Sequence, residues 1–102
     1  MEIIRLDPAP FAQHFQENTH PKVLLDIRNP DETALGVIKG AKLIPMPELT
    51  TQASSLPKNA WIYVYCRSGN RVQLSLEQFE KQGFRHVVAA INGGYDHLKS
   101  IL

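Results

Sequence analysis

Three features of the sequence predict an α/β fold. Short runs rich in β-branched and aromatic residues alternate with segments whose apolar residues recur at helical spacing. Helix-start and turn signals separate the two kinds at regular intervals. Two of the strand runs, "KVLLDI" and "WIYVYC", have hardly a polar break, as strands covered on both faces do. Strands alternating with helices imply crossovers and a mainly parallel central sheet, here of about five short strands with helices on both faces. At 102 residues the chain is long enough for one real core and too short for two, so residues 1–102 are expected to form a single domain.

The elements follow in order. "EIIRL" is a short first strand. Asp7 offers an N-cap and Pro8 a first helical position, with Phe11 and Phe15 one turn apart on an apolar face. Lys22 to Ile27 form the first buried strand. In "NPDETALG", Asn29, Pro30 and Glu32 repeat the helix-start pattern of cap, proline and capping-box acid, and only a short helix fits before Gly36. "AKLIPM" reads as another strand and "PELTTQASSLP" as a helical or irregular connection. "WIYVYC", Trp61 to Cys66, is the strongest strand in the chain. From Arg71 the period becomes helical, with Val72, Leu76 and Phe79 on one face and Gly83 as the stop. "RHVVAAI" is the last strand, Gly93-Gly94 a turn, and "YDHLKSIL" a closing short helix.

Composition excludes several classes of function. The net charge of +1 comes from basic residues spread along the chain, so no nucleic-acid footprint is present. The longest apolar stretches are five to six residues, too short to span a membrane. With no secretory pattern in "MEIIRLDPAP", the cytoplasm is the expected compartment. The lone cysteine forms no internal disulfide, and His14, His20, His86 and His97 lack metal-ligand spacing, so no metal is expected. No long heptad or apolar stripe argues for a dimer, and a monomer is expected.

The chemistry concentrates at "YCRSGNR". Cys66 stands where a strand ends and a helix begins, the edge at which open α/β sheets bind ligands. Gly69 and Asn70 tolerate left-handed backbone angles, so the loop Arg67-Ser68-Gly69-Asn70 can turn sharply and aim successive N–H groups inward as an anion nest. The start of the following helix adds its positive end, Arg67 and Arg71 add full charges, and no acidic residue lies between them. Each feature favours a thiolate and an anion beside it. A thiol lowered from a pKa of about 8.5 to about 6 gains ~30-fold in thiolate at neutral pH. It loses roughly 13-fold in intrinsic nucleophilicity. The loop therefore matters mainly by holding an anionic substrate and the charged sulfur species that forms next. The bland alternatives are an inert buried cysteine and, for Arg67, a solvated charge. Arg71 opposes the helix dipole where it stands, which a role in the loop explains better.

These residues resemble the rhodanese family of single-domain sulfurtransferases, and the likeness covers almost the whole chain. "VLLDIRNPDETALGVIKGAKLIP" is similar to that family's strand, Asp-x-Arg, acidic turn and Gly-Ala-x-x-Ile-Pro segment. "YVYCRSGNR" resembles its catalytic loop, and "FRHVVAAINGG" its closing strand and double glycine. The resemblance implies that Cys66 takes a sulfane sulfur from a small anionic donor such as thiosulfate, becoming a persulfide. A thiophilic acceptor, cyanide in the assay or a thiol or protein in the cell, would remove it, and the resemblance implies no organic cofactor or metal. Backbone N–H groups from Arg67 to Arg71 would hold the persulfide, and Arg71, with Arg67 as second candidate, the donor. Asp26 and Arg28 would support the loop from one layer behind; a plain structural ion pair is the alternative. Thr33, Val37, Lys39 and Leu98 depart from the family pattern at what look like packing positions.

Two other functions fit parts of this pattern. A cysteine-dependent phosphatase or arsenate reductase shares cysteine, cradle and arginine, but its loop has five intervening residues where four separate Cys66 from Arg71. No aspartate is expected close enough to act as its general acid. A non-catalytic interaction module would keep the fold alone, and such modules often lack the cysteine.

Overall fold

The computed structural model describes residues 1–102. A five-stranded sheet carries the fold: β1 (Glu2–Leu6), β2 (Lys22–Asp26), β3 (Lys42–Leu43), β4 (Trp61–Tyr65) and β5 (His86–Ala90). Their order across the sheet is β1-β5-β4-β2-β3, and every neighbouring pair is parallel. The predicted α/β class, strand number and parallel sense are those of the structure.

Four helices lie between strands, α1 (Pro8–Glu17), α2 (Pro30–Thr33), α3 (Leu49–Gln52) and α4 (Asn70–Lys81), and α5 (Tyr95–Leu98) follows β5. Alternation along β4 divides the core between the two faces of the sheet, because successive side chains point to opposite sides. Ile62, Val64 and Cys66 join Val72, Leu76 and Phe79 of α4 on one face. Tyr63 and Tyr65 join Phe11 and Ala12 of α1 and Leu98 of α5 on the other. Phe11 and Phe15 meet Tyr63 edge-on, at centroid distances of 5.7 and 5.0 Å, which accounts for the apolar face of α1.

Two local expectations need correction. The strand expected over "AKLIPM" shrinks to two residues. Ile44 and Met46 still donate to Asp26 and Ile27, but Pro45 between them has no N–H to give and the chain turns at Met46–Glu48. The segment after it is the expected helical connection, one α-helical turn, α3, between two 3₁₀ turns. Asp7 occupies the N-cap position of α1 without capping it with its side chain; its carboxylate accepts from Asn92 Nδ2 at 2.8 Å instead. That bond braces the turn after β5 against the turn after β1. No helix is long and apolar enough to cross a membrane.

Candidate functional site

Cys66 immediately follows β4, and its side chain belongs to the buried core on the α4 face, with none of it exposed. The thiol stands at the expected carboxyl edge of the sheet, and the chain covers it because β4 alternates and position 66 falls on an inward-facing register. Gly69 N–H donates to Cys66 Sγ at 3.1 Å. Gly69 has φ +98°, a left-handed angle that glycine adopts without strain as the loop turns into α4. The backbone N–H groups of Arg67, Ser68, Asn70 and Arg71 donate to no protein acceptor. Those of Asn70 and Arg71 are the unpaired donors that a helix start leaves, and those of Arg67 and Ser68 belong to the turn that leads into it.

The Gly93-Gly94 turn holds this loop in place, a role that sequence reasoning did not assign. Gly93 N–H donates to Ser68 O at 3.1 Å and Tyr95 N–H to Cys66 O at 2.9 Å. A Cβ on Gly94 would lie 2.0 Å from the Cys66 carbonyl oxygen, so only glycine allows the approach. The double glycine in "NGGY" was the available signal, and it was read only as a turn.

The two arginines of the loop do different things. Arg71 is paired with Glu32 through both carboxylate oxygens, at 2.5 and 2.9 Å. The hydrogen bond from Arg71 holds the Glu32 carboxyl at about 2, well below its ordinary 4.5, and the pairing raises the Arg71 pKa in turn. Glu32 also accepts from Asn29 N–H at 3.0 Å, completing the predicted capping box. Charge that is remote in sequence thus meets the loop in space, and the Arg71 guanidinium is already engaged. Arg67 is 70% exposed, with its nearest carboxylate, Asp96, 4.0 Å away.

Asp26 and Arg28 form a buried ion pair. Arg28 Nε contacts both carboxylate oxygens at 3.1 and 3.0 Å, and Nη2 donates to Asp26 Oδ2 at 2.9 Å and to Gly36 O at 2.8 Å. Burial works against the Arg28 charge, but the hydrogen bond and charge of Asp26 outweigh it and raise its pKa. The Arg28 guanidinium lies 3.6 Å from the centroid of the Tyr95 ring. Since the Tyr95 N–H holds the Cys66 carbonyl, this pair reaches the loop through one intervening residue. The Tyr65 hydroxyl is buried without a hydrogen-bond partner, and burial, with the Asp26 charge, raises its pKa far above its ordinary value.

A cleft of about 260 Å³ opens beside the loop. Arg28 and Tyr95 form part of its wall, Glu32 and Leu35 another, and Arg67, Asp96 and Lys99 its charged rim. Asp96, carried by α5, approaches the loop only at the exposed Arg67 side chain, 4.0 Å away. His97 stands on α5 against the Gly93-Gly94 turn, and the other histidines lie away from the loop. His86 and His20 stack on Trp61 at the start of β4, the opposite end of that strand from Cys66.

Comparison with known proteins is consistent in sequence and in structure. The family model of the rhodanese-like domain matches residues 7–100. A sulfurtransferase of Allochromatium vinosum is 35% identical over 83 residues, covering 81% of this chain and 77% of that protein. The thiosulfate sulfurtransferase GlpE of Pseudomonas paraeruginosa is 31% identical over 90 residues, 88% of this chain and 79% of that protein. The chain spans only 40% of the length of the Bacillus subtilis protein YrkF, to which it is 34% identical over 73 residues, 72% of this chain. Among solved structures, a rhodanese-like domain protein from Staphylococcus aureus superposes with a TM-score of 0.77 at 31% identity, covering 96% of this chain and 91% of that one. The rhodanese-like domain of an Anabaena protein gives a TM-score of 0.81 at 28% identity, covering 99% and 76%.

Proposed function

Since this chain belongs to the rhodanese-like domain family, we propose that it is a sulfurtransferase that carries sulfane sulfur as a persulfide on Cys66. The observation that carries this reading is the Gly69 N–H at 3.1 Å from Sγ, within a run of residues whose other N–H groups have no acceptor. A persulfide is a larger anion than a thiolate, and unpaired N–H donors at a helix start stabilise such a charge. The Cys66 thiolate attacks the outer sulfur of a donor such as thiosulfate. A new S–S bond forms, the donor's S–S bond breaks, and sulfite departs with the electron pair. Cyanide, or a thiol acceptor, then attacks the outer sulfur and returns Cys66 to the thiolate.

The roles of the surrounding groups follow from their positions. Arg67, exposed on the cleft rim, is the residue we assign to the anionic donor. Arg71, clamped by Glu32, fixes the shape of the loop. Asp26 and Arg28 hold Tyr95, and through it the Cys66 carbonyl. Relatives named sulfurtransferase support the activity class. The four-residue spacing from Cys66 to Arg71 supports a sulfur cradle over a phosphatase loop.

Steady-state kinetics with thiosulfate and cyanide test this. Thiocyanate formation with parallel double-reciprocal lines, abolished in Cys66→Ser, is the expected result. Turnover that survives the substitution excludes Cys66 as the carrier. One observation favours a second reading: the complete burial of Cys66 suits a binding module with an inert thiol. Failure of Cys66 to gain sulfur from any donor would select it.

A further inference from the structure

We infer that a groove on the α1 face of the sheet binds a small amphipathic anion, a medium-chain alkyl carboxylate, at a site separate from the sulfur-carrying loop. The inference goes beyond the sulfurtransferase reading and does not depend on it.

The topology leaves this part of the sheet open. On that face α1 packs on β1, β5 and α5. After β2 the chain passes through α2, four residues long, and a loop to β3, so no long helix covers the β2–β3 side. The result is a groove of about 510 Å³, against about 260 Å³ beside Cys66. Pockets of roughly 300–1,000 Å³ are those that hold small organic ligands. The groove lies at the start of β2, where Lys22 is level with Trp61, whereas Cys66 follows the far end of β4.

Its lining fixes the chemistry of the ligand. Phe15, Leu24 and Leu102, of one apolar cluster, supply a wall, and Lys22, Lys39 and Lys42 supply charge. No acidic side chain lines the groove. None of the three lysines enters any of the molecule's ion pairs. Lys22 is half-buried, with Nζ 4.3 Å from the centroid of the Phe15 ring. It donates to Asn18 O at 2.9 Å and to Phe15 O. Those carbonyls orient the ammonium and use two of its three N–H donors, which leaves one for a ligand. A half-buried cation without a counter-ion is costly, and an anion relieves that cost. Lys39, which departs from the family pattern, is exposed at the groove rather than packed.

A bare inorganic anion leaves the apolar wall wet, and an alkane leaves the lysines unpaired. An alkyl carboxylate satisfies both, with its tail on Phe15, Leu24 and Leu102 and its head on the lysines. An acidic peptide adding to the sheet fits less well. β3, the edge strand here, has only two residues, Lys42 and Leu43, too short a ladder for another strand to extend.

NMR titration of the purified protein with octanoate, decanoate and octanol tests this. The carboxylates are expected to shift the amides of the end of α1, the start of β2 and residues 38–42, leaving those of the Cys66 loop unmoved. A fully buried methylene is worth about 4-fold in affinity, so decanoate should bind at least ~5-fold more tightly than octanoate. Octanol, the same chain without the charge, should bind at least ~5-fold more weakly than octanoate. Lys39→Glu with Lys42→Glu reverses two exposed charges. It should weaken decanoate about 10-fold and leave octanol binding and thiocyanate formation unchanged. A merely sticky apolar surface would hold octanol as tightly as octanoate and ignore the reversal. Either of those results, no gain with chain length, shifts centred on the Cys66 loop, or no shift with any of the three overturns the inference. Shifts produced instead by a polyglutamate peptide or by raising the protein concentration would also overturn it, giving the groove to an acidic protein or to a second copy. The sulfurtransferase reading stands in every case.

Discussion

Arg67 and Arg71 look alike in sequence and differ in what surrounds them. Arg71 spends both terminal nitrogens on Glu32, whereas Arg67 extends into solvent at the cleft rim. Arg67→Ala is therefore expected to raise the KM for thiosulfate by about 10-fold with little change in stability. Arg71→Ala should instead lower stability by about 1–2 kcal/mol, because it strips a partly buried carboxylate of its partner. Thermal denaturation beside steady-state kinetics separates the two. Glu32 adds a pH signature. Its folded pKa of about 2 lies below its unfolded value of 4.5, so its contribution is present above pH 4.5 and is lost as pH falls through 2. Glu32→Gln should cost about 1–2 kcal/mol at pH 7 after solvent screening, and the difference from wild type should vanish near pH 2. Urea titrations at both pH values measure this; a constant difference would contradict it. The pairing was illegible in sequence because 39 residues separate its partners and Glu32 already had a sufficient local role in the capping box.

Legibility changes from element to element for physical reasons. β4 and α4 could be read from the sequence because their own periodicity specifies them: five strand residues, then apolar positions at helical spacing. β3 could not, because the sheet edge it pairs with and the donor missing at Pro45 decide its length. The turn after β5 had a legible signal and an illegible purpose. Nothing in "NGG" says which other loop comes within 3.1 Å of it. Gly94→Ala tests that purpose. Its Cβ would overlap the Cys66 carbonyl, so the loop must shift or the turn must open. The variant should lose about 1–3 kcal/mol of stability and most of its persulfide formation. Gly83→Ala, at a helix end where a Cβ meets nothing within 4 Å, provides the control for loss of a glycine without steric overlap. Equal activity in the two variants would remove the turn from the account of the loop.

At the scale of the molecule, the sheet brings three distant stretches to one edge. The end of β2 delivers Asp26 and Arg28, the end of β4 delivers Cys66, and the end of β5 leads into the glycines and Tyr95. Parallel strands make this possible, since all of them point their carboxyl ends the same way. The order β1-β5-β4-β2-β3 places β4 centrally, so its terminal cysteine is flanked on both sides. The thiol, its loop and the supporting pair were legible because each sits at a strand end marked by a change of period. The cover over the thiol and the mixed charge of the cleft depend on how the ends meet. Intact mass of the protein after brief exposure to thiosulfate or glutathione hydropersulfide, beside Cys66→Ala, tests the central claim most directly. The account predicts gain of one sulfur atom by the wild type only, removed again by cyanide. A wild-type mass unchanged by either donor would contradict it.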